Sequence, residues 1–575
     1  MRFKEFMKRS AALGLAAALV VSGSLLHVSA APESGNGGGT VWEEAELFSA
    51  GEKQAAGGIT PTAYEQAYRN DSKVKFRSRG TLPTTYDLRQ CAGSTTVKDQ
   101  APWGSCWAFG SLSSLESSML DKTGAGGTQE ATAPDYSELQ LAWFAYDTQN
   151  EESLTDSPAG AGQVGEGTSS ASTGSERLND GGNMPQAVAL LSTWQGAANE
   201  TDVPYVNQAG TIDASGDWTV DPSNRNNSAV HLQNADFLPT PVTASAYDGR
   251  YPSAGAAYTL DTNAVAAIKQ AIMTNGAVAI AYYADQSMPE GSQDGTYFNY
   301  TNWCQYVDKY TVETVQNHSV SIVGWDDNFS KFNFNADKQP EGDGAWLVKN
   351  SWGSNVSWGI DGTGYFWLSY YDRTIDQVTS FQGSKTDNYD NNYQYDYLGL
   401  ASDYSMNSQD AQVSVANVFT ANGVNGIEEL QAISAVTMAP NSAVKVEVYK
   451  IPEGGQGPVP AGTNPVAEQT FDLPYSGYHT LTLNKPVTLI KGEQFSIVET
   501  IQDSSSQCYV PMELASAEGH QSAVCNPGES YVIENDTVTD TSDMSDSNQD
   551  VGFGNVMIKA FTKNGEAEEA PAVSS

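Results

Sequence analysis

The spacing of apolar residues in this chain changes character once, after roughly Gln377, and that change sets what the chain can fold into. Ahead of it, Ser105 to Leu120 places Ala108, Leu112, Leu115 and Met119 on one helical face, with Gly124 to stop it. Further helices are predicted around Tyr136 to Tyr146 and over Val265 to Thr274. Val278 to Tyr283, Ser319 to Val323 and Ala345 to Lys349 read as buried strands. Helices first and strands later suggest an α+β unit whose halves differ in character. Asp147 to Ser175, rich in Gly, Ser, Thr and Ala, reads as an inserted surface loop. Beyond Gln377, Asp387 to Tyr397 reads as a polar connector. After it come short alternating runs: Val444 to Val448, with valines one way and charges the other, then Thr480 to Leu483, Phe495 to Val498 and Val556 to Phe561. Gly, Pro and Asn punctuate them, as in an all-β sandwich or jelly roll. A chain of 575 residues is expected to hold two or three such units.

The ends carry processing signals. Arg2, Lys4, Lys8 and Arg9 precede the apolar stretch Ala11 to Val21, and Val28-Ser29-Ala30 offers the small-residue pattern of a signal-peptidase site. Residues 1–30 are therefore expected to be a signal peptide. Residues 31–81 read as a pro-segment ending in the basic stretch Lys73 to Arg79, or as a linker, and 564–575 as a disordered acidic tail. No later apolar run is long enough to span a bilayer. Lys+Arg 29 against Asp+Glu 69 leaves a net charge of −40, which opposes binding to nucleic acid or an anionic membrane. An exported, soluble protein is expected, free in the medium or held at the cell surface. The acidic stretch Asp536 to Asp550 lacks a recognised calcium-ligand spacing and reads as a solvated loop; no cofactor is called for.

Five cysteines in an exported chain leave at least one thiol outside any intramolecular disulfide. Cys508 with Cys525, and Cys91 with Cys304, are conceivable pairs, which makes Cys106 the odd one out. It sits in Q-A-P-W-G-S-C-W-A-F, Gln100 to Phe109, at the start of a predicted helix. The free N–H groups and dipole there favour a thiolate. Gln100 can offer a side-chain amide, and Cys106 its backbone N–H, to an oxyanion. A nucleophilic thiol needs an imidazole. Of five histidines, His27 lies in the signal peptide, His479 and His520 in the β unit, and His231 in a polar stretch that suits a surface or structural role. His318 precedes an apolar strand. Downstream, Ala345 to Gly353 reads A-W-L-V-K-N-S-W-G, where Asn350 can fix the imidazole tautomer and Trp352 can shield that bond from water.

Gln100, G-S-C-W-A-F, N-H-S-V and K-N-S-W-G, in this order, resemble the signature blocks of the papain/cathepsin peptidase family. Tyr86 to Arg89, Tyr136 to Gln140, Asp180-Gly181-Gly182 and Trp358 to Phe366 resemble further blocks, and the resemblance runs from about Leu82 to Tyr371. It implies a two-lobed papain-like peptidase fold over residues 82–385, followed by an all-β sandwich or jelly-roll domain at 386–563 that resembles the lectin-like domain of some bacterial secreted peptidases. It implies attack on a peptide carbonyl by a Cys106 thiolate paired with a His318 imidazolium, and an acyl-enzyme. Gly181 and Gly182 are placed against the substrate backbone, Met184 and Ala281 in the pocket for an apolar residue two before the scissile bond, and Trp352 beside the site. The partners implied are a protein or peptide substrate and a carbohydrate or cell-surface ligand for the β domain, which otherwise braces the peptidase. Two departures stand out. Trp103 and Asn179 occupy the places of one family disulfide, and the pro-segment lacks the family's long inhibitory helix. The rival reading is a binding protein on a silent peptidase scaffold; the complete set of Gln100, Cys106, His318 and Asn350 argues against it.

Overall fold

Helix α1, Cys106–Ser118, starts where the spacing predicts, but it is buried on nearly every side rather than along one face. Its small polar residues explain this. Ser113 Oγ meets Ser321 Oγ at 2.7 Å, and Ser114 Oγ donates to the Ala277 carbonyl at 2.6 Å, so the hydroxyls hold neighbouring strands where apolar side chains would have kept them away. A Cβ at Gly110 would overlap Ser319 Oγ, which lets α1 lie directly on that strand. Helices α2 (Glu138–Phe144), α3 (Met184–Ser192) and α4 (Thr262–Thr274) follow, capped by Ser137, Asn183 and Asp261, whose side chains accept from backbone N–H groups of the first turn.

This computed structural model describes residues 81–565 except 121–132, 149–163, 171, 206–217, 290–291, 355–357, 398–401, 407–411, 503–507, 517–520, 535–536 and 545–550, together with 27–28 and 45–46. The expected signal peptide, pro-segment and tail lie almost wholly outside the described residues. No described helix is long and apolar enough to cross a membrane.

The strands of the α+β unit, Tyr365–Ser369, Ala345–Lys349, His318–Asp326, Val278–Tyr282, Asp376–Ser384 and His231–Phe237, lie side by side in that order. Their register puts Tyr282 opposite His318 and Lys349 opposite Ser321. One apolar core gathers α1, α2 and α3; a second gathers α4 and the sheet, including Ile268, Ile280, Ile322 and Trp346. Those are the two lobes. In the β unit, Ala467–Leu473, Ser442–Ile451, Gln494–Gln502, Gln412–Thr420, Ser530–Glu534 and Thr537–Asp540 form a second sheet. Val444, Val446 and Val448 point inward as their alternation predicts, and share a core with Ile433, Leu481 and Leu483 of the facing sheet. The unit is a β-sandwich.

The two units are not beads on a string. The outer strand of the α+β sheet, His231–Phe237, pairs antiparallel with Ser476–Ile490 of the sandwich, so one 13-stranded sheet runs through both. Ser476 faces Phe237 and His479 faces Asn234. Gly477, at φ +123°, is obligatory, since a Cβ there would overlap the Ala235 carbonyl oxygen. His231 is buried and structural: Trp194 stacks on it at 3.8 Å and 3°, and on Phe561 at 5.7 Å.

Several expectations need correcting. The Asp387 to Tyr397 connector contains a strand, Asn391–Tyr393, paired with Lys559–Asn564 and buried; Asn392 and Gln394 donate to the Ser192 and Thr193 carbonyls at 3.1 and 3.0 Å. Polar residues pass for a linker in sequence, but their amides satisfy the end of α3. The Asp147 to Ser175 loop contains a strand, Gly167–Thr168, which pairs with Gln521–Ser522 of the sandwich, and Glu166 is fully buried there. Thr537–Asp540 makes a strand of part of the acidic stretch. Cys91 and Cys304 do not pair: Cys91, Cys304 and Cys525 are thiols, hydrogen-bonded near Tyr86, Asn333 and Thr541 in separate parts of the fold, and the Cys508 side chain lies outside the described residues.

Candidate active site

The site is assembled where the N-terminus of α1 meets the first residues of the His318–Asp326 strand, an interior strand of the sheet. Cys106 is the first residue of α1, and its sulfur accepts hydrogen bonds from the backbone N–H of Trp107 and of Ser319. Ser319 follows His318, so the helix start and the imidazole strand meet at the thiol. Ser105, the residue before the helix, shares a 2.6 Å hydrogen bond with the Tyr205 hydroxyl, which also reaches the Gln100 carbonyl at 2.8 Å. Tyr205 thereby ties the Gln100 loop to the helix start. Nothing near Tyr205 in sequence signals this.

His318 Nε2 lies 2.8 Å from Asn350 Oδ1. That oxygen also accepts the Ser351 N–H at 2.8 Å, which fixes the amide orientation. Nε2 must therefore carry the proton, and Nδ1 is the basic nitrogen. Trp352 stacks on the imidazole at 4.9 Å and 22°, and Trp358 meets Trp352 edge-on at 5.1 Å. Gln100 is latched to the same strand end: its N–H donates to the Ser351 carbonyl at 2.9 Å, and Ser351 Oγ donates to Gln100 Oε1 at 2.7 Å. Gln100 Nε2 donates one hydrogen to the Trp103 carbonyl at 3.1 Å, leaving the second.

Cys106 and His318 are 1% and 3% exposed. Burial pushes the thiol up to about 12, against the pull of the Ser319 and Trp107 amides. Burial likewise brings His318 down to about 4, with Asn350 pulling upward. Both groups are drawn toward their neutral forms in this closed arrangement, so a thiolate–imidazolium pair gains from whatever rehydrates or polarises the site.

The residues assigned to substrate are arranged less openly. Met184 and Ala281 fall in the same apolar core as Cys106, each fully buried, with Ser111 Oγ donating to Met184 Sδ at 3.2 Å. Gly181, at φ +80°, has its carbonyl bound by the Tyr146 hydroxyl at 3.0 Å. A Cβ at Gly182 would penetrate the Trp107 ring, so packing against the helix start already demands glycine there. In the place of the missing family disulfide, Asn179 Oδ1 accepts the Gly104 N–H at 2.9 Å, and Trp103 packs edge-on against Trp218 at 5.8 Å.

Comparison with known proteins agrees with this geometry. The chain matches the family described as papain family cysteine protease over residues 82–136 and 172–382, and the lectin-like domain family over 392–562. It is 25% identical to a cathepsin L-like peptidase of Aedes aegypti over 49% of this chain and 58% of that one. Identity to procathepsin L of Rattus norvegicus is 24%, over 49% and 59%. The chain thus spans little more than half the length of these relatives. Among solved structures, the clostridial cysteine protease Cwp84 after propeptide cleavage superposes with a TM-score of 0.60 at 25% identity, covering 84% of this chain and all of that one. A structure of the cysteine protease and lectin-like domains of Cwp84, a surface layer associated protein of Clostridium difficile, gives 0.58 at 25%, covering 87% and 96%.

Proposed function

We propose that this chain, a papain-family cysteine protease with a lectin-like domain behind it, hydrolyses peptide bonds through an acyl-enzyme on Cys106. The observation that carries the reading is the convergence of the Cys106 sulfur, held by the Ser319 N–H, with a His318 whose Nε2 is committed to Asn350. In the reaction, His318 Nδ1 takes the thiol proton as the sulfur attacks the peptide carbonyl. The oxyanion receives the Cys106 backbone N–H and the remaining Gln100 Nε2 hydrogen. The imidazolium then protonates the departing amine, and water, deprotonated by the same nitrogen, releases the acid. Met184 and Ala281 favour an apolar residue two positions before the scissile bond, reached once the cleft opens along the Gly181–Gly182 backbone.

Export rests on the N-terminal pattern and on the likeness to a surface layer associated protein. We place the division between the two units at 385/386. For the lectin-like domain, bracing of the peptidase is favoured by the sheet the two units share, and docking to a cell-surface carbohydrate is the second role.

The test is labelling of the mature protein with an epoxide-type thiol reagent. Fast labelling that vanishes in Cys106→Ala and slows in His318→Ala is expected. Slow labelling that ignores Cys106, in folded protein, would move the assignment to a binding protein on a silent scaffold.

A further inference from the structure

Behind the His318–Asn350 pair lies a small cavity of about 20 Å³. Its walls are Phe109, Gly110, Ser113 and Glu116 of α1, Ser319 to Ser321 of the adjoining strand, Lys349 to Ser351, and Lys98 and Glu138. Three of its lining residues carry a buried polar atom with no hydrogen-bond partner among the described residues: Asn350 Nδ2, Ser319 Oγ and Glu138 Oε2. A donor amide, a hydroxyl and a carboxyl oxygen among the residues around one small chamber are the partners that hold a single ordered water, for which such a volume suffices. Leaving all three unpaired would cost roughly 1–3 kcal/mol each.

The far wall is charged. Lys98 Nζ bonds Glu116 Oε1 at 2.8 Å, Glu138 Oε1 at 2.8 Å and Asp135 Oδ1 at 2.7 Å. Glu116 Oε2 accepts from Thr95 Oγ1 at 2.7 Å, and Lys349 Nζ donates to that same hydroxyl at 2.8 Å. Glu200 adds a further carboxylate whose field reaches Glu138. Two cations thus face four carboxyl groups. Burial raises Glu138 to about 8, with Lys98 pulling it down, and lowers Lys349 to about 8.

We propose that this cavity binds one water that accepts from Asn350 Nδ2 and joins it to Ser319 Oγ and Glu138, making Glu138, held by Lys98, a positioning residue for His318. The logic lies in the Asn350 amide. Its oxygen holds the imidazole, and a flip of the amide would set its NH2 against the Nε2 proton. An acceptor behind Nδ2 locks the productive orientation. Ionisation of Glu138 near pH 8 places negative charge behind that acceptor and favours the imidazolium, which Glu138→Gln abolishes.

This inference rests on the peptidase reading, and one experiment separates their failures. The rate of Cys106 alkylation by iodoacetamide is followed against pH in wild type, Glu138→Gln and Glu138→Leu, each also combined with Asn350→Ala, with thermal unfolding alongside. Glu138→Leu is expected to slow alkylation on the order of tenfold, within what an ångström of misplacement costs. Glu138→Gln should match wild type at pH 6 and fall behind it above pH 8. Neither should add anything once Asn350 is alanine. Equal losses in both backgrounds, or none in a folded protein, overturn the role of Glu138 while leaving a Cys106- and His318-dependent reaction intact. If alkylation depends on neither Cys106 nor His318, the peptidase reading falls, and the positioning role with it. Should Glu138→Leu unfold, Ser319→Ala removes another of the three partners and is read the same way. A high-resolution crystal structure showing a side chain filling the chamber overturns the water site directly.

Discussion

The shared sheet makes a quantitative demand at Gly477. Its φ of +123° is one that L side chains rarely adopt, and a Cβ there would enter the Ala235 carbonyl oxygen, a backbone atom that cannot swing away. Gly477→Ala therefore meets backbone strain of about 1–3 kcal/mol. It must also part the Ser476–His479 ladder from Asn234–Phe237, losing two or three hydrogen bonds worth about 0.5–1.5 kcal/mol each. The total is about 2–7.5 kcal/mol, roughly 4–30 °C in the melting of a unit the size of the sandwich. Gly492 provides the control. It too has a positive φ, +85°, yet nothing lies within 4 Å of the position its Cβ would take. Gly492→Ala should show the strain alone, about 1–3 kcal/mol. The assay is calorimetry with limited proteolysis: wild type and Gly492→Ala should melt in one transition, whereas Gly477→Ala should split it and expose the chain around residue 240 to cleavage. Equal shifts for the two variants, with a single transition in both, would refute the claim that the junction strands bind the units together.

Other expectations follow from the same coordinates. Glu499 is 1% exposed in the sandwich core, opposite Val415 and Val446, and its Oε1 has no hydrogen-bond partner among the described residues. Burial holds its carboxyl well above the ordinary 4.5, so it stays protonated when folded and ionises on unfolding, which costs stability as pH rises past that value. Glu499→Met should raise stability by about 1–3 kcal/mol at pH 7 and by less at pH 4; denaturant titration at both pH values checks this. Trp352→Ala uncovers His318, whose imidazole should move from about 4 back toward 6.5 in an NMR titration, and a value that stays low would mean Trp352 is not what buries it. Gly182→Ala forces Trp107 off its place beside Cys106 and should slow alkylation on the order of tenfold; an unchanged rate would show that the helix start absorbs the shift.

The candidate site was legible because each member carries its own local context. Ala345–Lys349 begins and ends where its apolar run does, and α1 begins one residue inside the predicted range. What escaped were features made by partners far apart in the chain. The pairing of Phe237 with Ser476 leaves no mark on either segment, since His231–Phe237 reads as a polar stretch and Thr480 to Leu483 as an ordinary alternating run. Asn392 and Gln394 suggested a solvated connector because polarity was taken for exposure, whereas their amides are consumed by the Ser192 and Thr193 carbonyls. Glu116 is fully buried on α1, where apolar spacing would never place a charge, because Lys98, Thr95 and the Tyr136 N–H meet it there. The loss of the family disulfide at Trp103 and Asn179 could be read, but not that a hydrogen bond to Gly104 had taken its place.

The strand that joins the units also imposes an order of events during biosynthesis. His231–Phe237 is made about 240 residues before Ser476, so the α+β half emerges from the ribosome with its outermost strand bare, a separation that slows closure. A bare edge is an invitation to aggregate until its own partner arrives. A chain that stops early never receives that partner. Only a chain made at least as far as the Ser476–Ile490 strand can pair that edge of the sheet on which His318 and Asn350 stand.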